Sequence, residues 1–311
     1  MPQFARVSPS GGGPPLPGLR RRRYGTNRAA VHAMDINTVT EIAKPRRRDE
    51  LPAWRQGDAW LAGGTWLFSE PQPKISRLID IADFGWPALE PTGQGLRIAA
   101  TCTIAQLDGL AFASHWTAAP LVNQCCRSFL ASFKIWNAAT VGGNLCMALP
   151  AGPMISLTSA LDGVCTIWTR ESCERRVAVM DFVMAPQRNA LKPGELLRAI
   201  DLPLTALRRR TAFRQISLSP LGRSSALVIG TLAADDGSFA VTVTAATPRP
   251  VRLSFSRLPS RDALRAKLDA AIPDAGYYSD IHGAPAWRRH VTQQFAEEIR
   301  RELAGNGAGA S

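Results

Sequence analysis

Two glycine-rich segments constrain the fold of this chain more than any other part of its sequence. Residues 61–65 read LAGGT and residues 137–144 read NAATVGGN, so each places a threonine hydroxyl beside a Gly-Gly pair. Glycine has no Cβ atom, so it adopts positive φ angles easily and lets a backbone approach a ligand, with successive N–H groups pointing into one concavity. One such segment is a weak signal, because Gly-Gly is common in turns. Two of them suit a dinucleotide whose diphosphate is held from both sides.

Three further segments join the two loops in a recognisable order. They are LIDI at 78–81, PGELL at 193–197 and AATPRP at 245–250. Together with AGGT at 62–65 and TVGGN at 140–144, they resemble the flavin-binding subunit of molybdenum hydroxylases, the xanthine dehydrogenase and carbon monoxide dehydrogenase group. The resemblance extends from about residue 34 to about residue 303. The joint order is much more specific than any one segment.

The resemblance implies an α+β fold with two domains. An FAD-binding domain of the PCMH, or vanillyl-alcohol-oxidase-like, type is expected at 34–205, with subdomains at about 34–90 and 91–205. A C-terminal α/β domain like that of carbon monoxide dehydrogenase flavoproteins is expected at 206–305, and a flexible tail at 306–311.

The apolar periodicity of the chain predicts the elements of these domains. Strands are expected at 59–62, 77–81, 96–100, 164–168, 176–179, 196–202, 212–218, 226–233 and 239–245. Helices are expected at 104–110, 120–131, 154–161, 260–271 and 284–303, with Thr103 as the N-cap of the first. This order favours a mostly antiparallel middle sheet, and then a three-stranded antiparallel sheet backed by two helices.

Half of the net charge of +12 lies in the first 33 residues of the chain. Residues 1–33 contain six arginines and no acidic residue, so the remainder has 31 basic against 25 acidic groups, or +6. We therefore expect a disordered basic arm at 1–33 and no nucleic-acid partner. No apolar run approaches the length of a membrane span, so no membrane-spanning segment is expected.

The six cysteines form no C-x-x-C pair and have no histidine at metal-ligand spacing. We interpret them as free thiols in a reducing compartment and expect a cytoplasmic protein without a metal site. The four-thiolate pattern of an iron–sulfur cluster is absent. If electrons reach a flavin in this chain through such a cluster, another chain has to carry it.

The sequence contains no G-x-S-x-G, H-E-x-x-H, Walker or G-x-G-x-x-G motif. Chemistry in this chain would therefore belong to a bound cofactor. By resemblance, the chain is the FAD-binding electron-transfer subunit of a heterotrimer and has no catalytic acid or base of its own. A subunit with a molybdopterin cofactor would oxidise a small substrate. A subunit with 2Fe-2S clusters would pass the electrons to FAD, which would reduce a small-molecule acceptor such as NAD, quinone or oxygen.

The resemblance also implies which residues contact FAD. The first loop would follow the diphosphate and ribityl groups, with the amides of Gly63 and Gly64 and the Thr65 hydroxyl as donors, and the second loop would close the other side. The implied contact residues are Trp60, Leu61, Ala62, Gly63, Gly64, Thr65, Trp66, Leu67, Thr140, Val141, Gly142, Gly143, Asn144, Leu197 and Arg214.

Two of these residues would lie near the isoalloxazine ring. Leu197 matches a position whose backbone lies against the ring. Arg214 matches a position that is usually lysine, near the polar edge of the ring, where a cation stabilises the charge of the reduced flavin.

Three positions depart from the family pattern. Trp66 and Pro153 replace acidic residues, and 217–221 read SLSPL where the family has arginine and acidic residues. None of these changes removes the diphosphate donors. They affect positions that would contact the ribityl group, the adenosine or an NAD acceptor.

Two alternative functions remain open on the sequence alone. One is a self-sufficient flavin oxidase of the same fold, which needs a substrate pocket with a base, and none of the four scattered histidines is a convincing base. The other is a basic scaffold or nucleic-acid-binding protein that has lost FAD. Against it, the basic residues are mostly in the arm and do not alternate with aromatic residues.

Overall fold

Three larger β-sheets, a two-stranded ladder and their flanking helices make up residues 36–305, the part of the chain that the computed structural model describes. The predicted basic arm at 1–33 and the predicted tail at 306–311 lie outside the described residues. The predicted α+β class is confirmed, because a parallel sheet, two antiparallel sheets and several helices occur in one chain.

The first sheet is parallel and delivers the first glycine segment. It contains β1 (Glu41–Ala43), β2 (Asp58–Leu61) and β3 (Arg77–Asp80), with β3 in the centre. Arg77 fixes the start of β2 by donating from Nε and Nη2 to the two carboxylate oxygens of Asp58 at 2.8 and 2.6 Å. These bonds hold the pKa of Asp58 below its usual value. The chain leaves β2 at Leu61 and enters the LAGGT loop directly.

The second sheet is antiparallel and carries the larger core on one face. The strands of this region are β4 (Leu89–Thr92), β5 (Gly95–Ala99), β6 (Val164–Trp168), β7 (Glu174–Ala178), β8 (Val183–Ala185), β9 (Arg188–Asn189) and β10 (Leu196–Pro203). The sheet has the strand order β4-β5-β10-β6-β7, and β8 and β9 form a separate two-stranded ladder. The helices are α1 (Ile104–Asp108), α2 (Ala119–Arg127), α3 (Phe133–Trp136), α4 (Val141–Met147), α5 (Pro153–Ala160) and α6 (Val179–Phe182).

The third sheet is an antiparallel meander with two long helices packed against it. Its elements are α7 (Leu204–Leu207), β11 (Arg210–Ile216), β12 (Ala226–Leu232), β13 (Phe239–Thr244), β14 (Val251–Phe255), α8 (Arg261–Ala271) and α9 (Pro285–Gly305). The prediction of three strands is wrong, because β14 adds a fourth. This strand directly follows the Pro-Arg-Pro turn and has one fully buried residue, Leu253, so its apolar pattern is weak.

Most other predicted elements are confirmed to within a few residues. The predicted N-cap of α1 is confirmed, since the Thr103 hydroxyl accepts a hydrogen bond from the Gln106 amide at 3.2 Å. None of the helices within residues 36–305 has the length and hydropathy needed to cross a bilayer.

Helix α5 joins the second sheet to the third. All of its residues are buried, and the Ser156 hydroxyl lies 2.6 Å from the Thr244 hydroxyl of β13. Just before α5, the Pro150 carbonyl accepts from the Ala245 amide at 2.8 Å. Just after it, Asp162 accepts a hydrogen bond from Arg209 at 2.5 Å and forms an ion pair with Arg252 at 3.0 Å. These contacts fix the third sheet beside the glycine segments.

Candidate functional site

A cavity of about 830 Å³ lies between the first glycine loop, helix α4 and the edge of the third sheet. Pockets that bind cofactors and other small ligands are typically about 300–1,000 Å³ in volume. The walls include 60–67, 142–144, 149–153, 196–197 and 280–282. The structure thus brings the first glycine loop, part of the second glycine segment and Leu197 to one place.

The first glycine loop presents a run of unpaired backbone N–H groups at this cavity. Within residues 36–305, the amides from Ala62 to Leu67 donate to no protein acceptor. Gly64 has a φ of +69°, which glycine adopts without the strain that a Cβ atom brings. Backbone N–H groups are strong donors and are costly to leave unpaired. A run of them is therefore suited to an anion with several acceptor oxygens, such as a diphosphate.

The loop is held by direct backbone contact with the second glycine segment. A Cβ atom at Gly63 would lie 1.8 Å from the carbonyl oxygen of Ala138 and 2.7 Å from its carbonyl carbon. Only glycine fits in this space without a movement of the backbone. The contact keeps the free amides of the loop beside the residues that precede α4.

The second glycine segment is not a loop, and this part of the sequence interpretation is corrected. Residues 141–147 form helix α4, and the Thr140 hydroxyl caps the helix by accepting from the Gly143 amide at 3.0 Å. The other amides of this turn also donate to carbonyls of the protein. The Val141 amide donates to Cys102 at 2.8 Å, and the Gly142 amide donates to Ala100 at 3.0 Å. The Asn144 amide donates to Thr140 at 3.0 Å. The amides of residues 141–144 are therefore not available to a ligand, whereas those of the first loop are.

The glycines of α4 instead let the helix pack closely against the second sheet. A Cβ atom at Gly142 would lie 2.5 Å from the Cβ and 2.7 Å from the carbonyl oxygen of Ala100. Gly142 and Val141 are buried, and Val141 does not line the cavity.

Asn144 and Pro153 both take part in the start of helix α5. Pro153 is the first residue of α5, where proline is favoured because the N–H at this position has no partner in the helix. The next amide, that of Met154, donates to Oδ1 of Asn144 at 3.1 Å. The departure at Pro153 therefore keeps a well-formed helix start, and Asn144 links α4 to α5.

A buried ion pair positions the wall that contains Leu197. Glu195 accepts from Nε and Nη2 of Arg175 at 2.9 and 2.5 Å and from the Lys192 amide at 2.7 Å. The Arg175 guanidinium holds the pKa of Glu195 below its usual value. The Glu195 carbonyl in turn accepts from the indole of Trp60 at 2.8 Å, which ties this wall to β2.

The structure does not bring Arg214 to the cavity. Its guanidinium faces α9, where Nε lies 2.9 Å from Glu298 and Nη2 lies 2.8 Å from Glu302. Arg214 belongs to the packing of α9 on β11 and is absent from the lining of the cavity.

Several residues from the connections and the long helix around the third sheet line the cavity and were not identified from the sequence. They include Arg223, Tyr278, Asp280, His282 and Arg288. Arg288 is almost completely buried and donates to the carbonyls of Ala245 and Gly283 and to Asp280. No local motif marks these residues, since they meet only because α5 fixes the third sheet beside α4.

Cys146 also lines the cavity, and its burial raises the pKa of its thiol to about 12. It is therefore a neutral thiol at physiological pH. Within residues 36–305, no group of three or more histidine, cysteine or acidic side chains is placed to hold a metal ion.

Residues 32–205 match the protein family described as the FAD binding domain in molybdopterin dehydrogenase. The chain belongs to this family. The match covers the first two sheets and both glycine segments, and it confirms the predicted family and its cofactor, FAD. The cavity agrees with this cofactor, because its unpaired amides suit a diphosphate. No curated protein sequence matches the chain significantly.

Solved structures of other oxidoreductases share the fold of this chain. Carbon monoxide dehydrogenase from Hydrogenophaga pseudoflava matches with a TM-score of 0.69 and 18% identity over 84% of this chain and 96% of that chain. Reconstituted CO dehydrogenase from Oligotropha carboxidovorans has a TM-score of 0.68 and 20% identity, covering 84% and 97% of the two chains. Quinoline 2-oxidoreductase from Pseudomonas putida 86 has a TM-score of 0.67 and 17% identity, covering 86% and 97%.

A test of the contact between the two glycine segments follows from this geometry. In Gly63→Ala the new Cβ has to push the loop away from Ala138, so we expect the free energy of unfolding to fall by about 1–3 kcal/mol. FAD affinity should fall about tenfold or more, because displaced amides lose hydrogen bonds to a charged group. Urea unfolding and a flavin fluorescence titration measure the two effects. Gly93→Ala is the control, since its Cβ meets no atom within 4 Å. A Gly63→Ala variant that equals Gly93→Ala in both assays would contradict the account.

A second prediction concerns the Glu195–Arg175 pair. The pKa of Glu195 is lower in the folded state than in the unfolded state, where it is about 4.3. At pH values above about 4.3 the pair therefore makes its full contribution to the free energy of unfolding. This stabilisation is lost as the pH falls through the lower folded-state pKa. We expect Glu195→Gln to lower the free energy of unfolding by about 1–3 kcal/mol at pH 7, and to flatten its fall between about pH 5 and pH 3.

Urea unfolding at a series of pH values measures this effect. Glu70→Gln, which changes an exposed carboxylate, is the matched control. If Glu195→Gln keeps the parent's pH dependence, the ion pair does not have the assigned role.

Proposed function

We propose that this chain is the FAD subunit of a multisubunit molybdenum-containing oxidoreductase. In this role it receives electrons from an iron–sulfur subunit and passes them to a small-molecule acceptor. Membership of the FAD-binding family supports the cofactor. The observation that carries the proposal is the set of unpaired amides from Ala62 to Leu67 along a cavity large enough for a cofactor.

Within this proposal, each wall of the cavity has a separate task. The amides of the first loop and the Thr65 hydroxyl donate to the diphosphate. The side of the cavity formed by Leu196 and Leu197 is apolar and buried, so it shields a flavin ring from water. The Trp60 indole holds that wall at its distance from the loop through the Glu195 carbonyl. FAD supplies the redox chemistry when bound, and this chain supplies its position and surroundings.

The partner subunits belong to the proposal as well. We assign the molybdopterin cofactor and the 2Fe-2S clusters to separate subunits of a heterotrimer. The fold shared with a Cu,Mo-CO dehydrogenase supports this arrangement. NAD, quinone and oxygen are all candidate acceptors, and xanthine dehydrogenase-like substrates are one option for the complex. We place the complex in the cytoplasm, which agrees with six cysteines that are all free thiols.

The proposal is tested by the visible absorption spectrum of the purified chain, with the released cofactor identified by mass. We expect one FAD per chain, either retained through purification or taken up on addition. Gly93→Ala should behave in the same way, since no atom lies near its added Cβ. A colourless chain that refuses added FAD would overturn the proposal and favour a scaffold that has lost the cofactor.

The role of the subunit is tested by affinity purification of the tagged chain from its native cells. We expect two further subunits that bring iron and molybdenum in fixed ratio to FAD. A flavin-loaded chain that purifies alone and oxidises a small alcohol or amine directly would favour the self-sufficient oxidase instead.

A further inference from the structure

Arg223 is a cation at the mouth of the cavity that has no acidic partner. It lies in the connection between β11 and β12, and its side chain is exposed while also lining the cavity. The other charged residues of the lining, Asp280 and Arg288, form an ion pair with each other. Within residues 36–305, Arg223 makes no ion pair or side-chain hydrogen bond, so its charge is available to a ligand.

The side chain of Trp66 holds Arg223 next to the first glycine loop. The guanidinium carbon of Arg223 lies 5.8 Å from the centre of the Trp66 ring, within the range of a cation–π contact. Trp66 is itself one of the residues whose amides are unpaired. The unpaired cation and the unpaired N–H groups, which come from different sheets of the fold, therefore meet at the same side of the cavity.

We propose that Arg223 is a diphosphate-binding residue and that Trp66 is the residue that positions it. The inference rests on the proposed function, because it takes FAD as the ligand of the cavity. The amides of the first loop donate hydrogen bonds but carry no net charge, whereas a dinucleotide diphosphate carries two negative charges. A guanidinium supplies the missing charge and donates two parallel hydrogen bonds to phosphate oxygens.

The aromatic partner matters for this role. A carboxylate at position 66 would form an ion pair with Arg223 and cancel its charge. An indole ring holds the guanidinium by its face and leaves the N–H groups at its edge free. Tryptophan at this position thus orients the cation without neutralising it.

With this assignment, two separate parts of the fold contribute residues to the flavin site. The first loop follows β2 of the first sheet, and Arg223 precedes β12 of the third. Binding of the diphosphate then bridges these two sheets across the mouth of the cavity.

The test is a fluorescence titration of the flavin-free full-length chain with FAD. We expect Arg223→Gln to raise the Kd for FAD about tenfold, as for the loss of a hydrogen bond to a charged group. Arg223→Lys should recover part of the affinity, since lysine keeps the charge but not the two-donor geometry. Arg257→Gln is the matched control, because Arg257 is an exposed arginine of the same region and does not line the cavity.

Two further measurements show whether the effect belongs to the phosphates. Riboflavin, which has no phosphate, should bind the parent and Arg223→Gln with the same Kd. Raising the salt concentration should weaken FAD binding more in the parent than in Arg223→Gln, because salt screens the added charge. Trp66→Leu should weaken FAD binding less than Arg223→Gln, and the two effects should not add in the double variant.

The possible failures are distinguishable. If the parent binds FAD and Arg223→Gln binds it within twofold of Arg257→Gln, the role of Arg223 is overturned while the proposed function stands. If Arg223→Gln weakens riboflavin as much as FAD, the residue does not act on the phosphates and the inference is again overturned. A parent chain that binds no FAD overturns the proposed function and this inference together.

Discussion

The cavity depends on one backbone contact, that between Gly63 and Ala138. This contact brings a loop of the first sheet against the chain that enters α4 beside the second sheet, at a distance that leaves no room for a side chain. Because of it, the two glycine segments form one structure with two tasks. The first segment exposes its amides, and the second uses its own amides to anchor α4 on Ala100, Cys102 and Thr140.

The pairing of these amides also explains why residues near the third sheet take part in the site. The amides of α4 already donate to acceptors within the protein, and the free amides of the first loop carry no net charge with which to balance an anion. The third sheet contributes arginines to this cavity, and it can do so because α5 and Asp162 fix its position. Arg288 donates to two carbonyls and pairs with Asp280, so it is part of the cavity wall. Arg223 has no acidic partner within residues 36–305, so its charge at the mouth is not neutralised.

The sequence predicted those features that depend on local chemistry. Thr103 as an N-cap, the strand before the LAGGT loop and the helix predicted at 284–303 each follow from neighbours a few residues apart, and all are present. The structure also places the first glycine loop, part of the second glycine segment and Leu197 along one cavity. The proline at position 153 is explained by its place at the start of a helix, where proline is common.

The features that escaped prediction depend on distant partners. Whether a Gly-Gly amide is free is decided by Ala100 or Cys102 on another element, and the sequence around Gly142 does not contain this information. Arg214 was placed at the ring by analogy, but the face of β11 on which it lies packs against two glutamates of α9. Arg223 lies just after the segment 217–221 that departs from the family pattern, and its neighbour Trp66 is far away in sequence.

The most direct test of this account is amide hydrogen exchange at residue resolution, with and without FAD. We expect the amides of 62–67 to exchange fast in the flavin-free chain and to become protected when FAD binds. The amides of 141–144 should exchange slowly in both states, because they are already paired within the protein. Protection that appears at 141–144 on FAD binding, with 62–67 unchanged, would contradict the division of tasks between the two glycine segments.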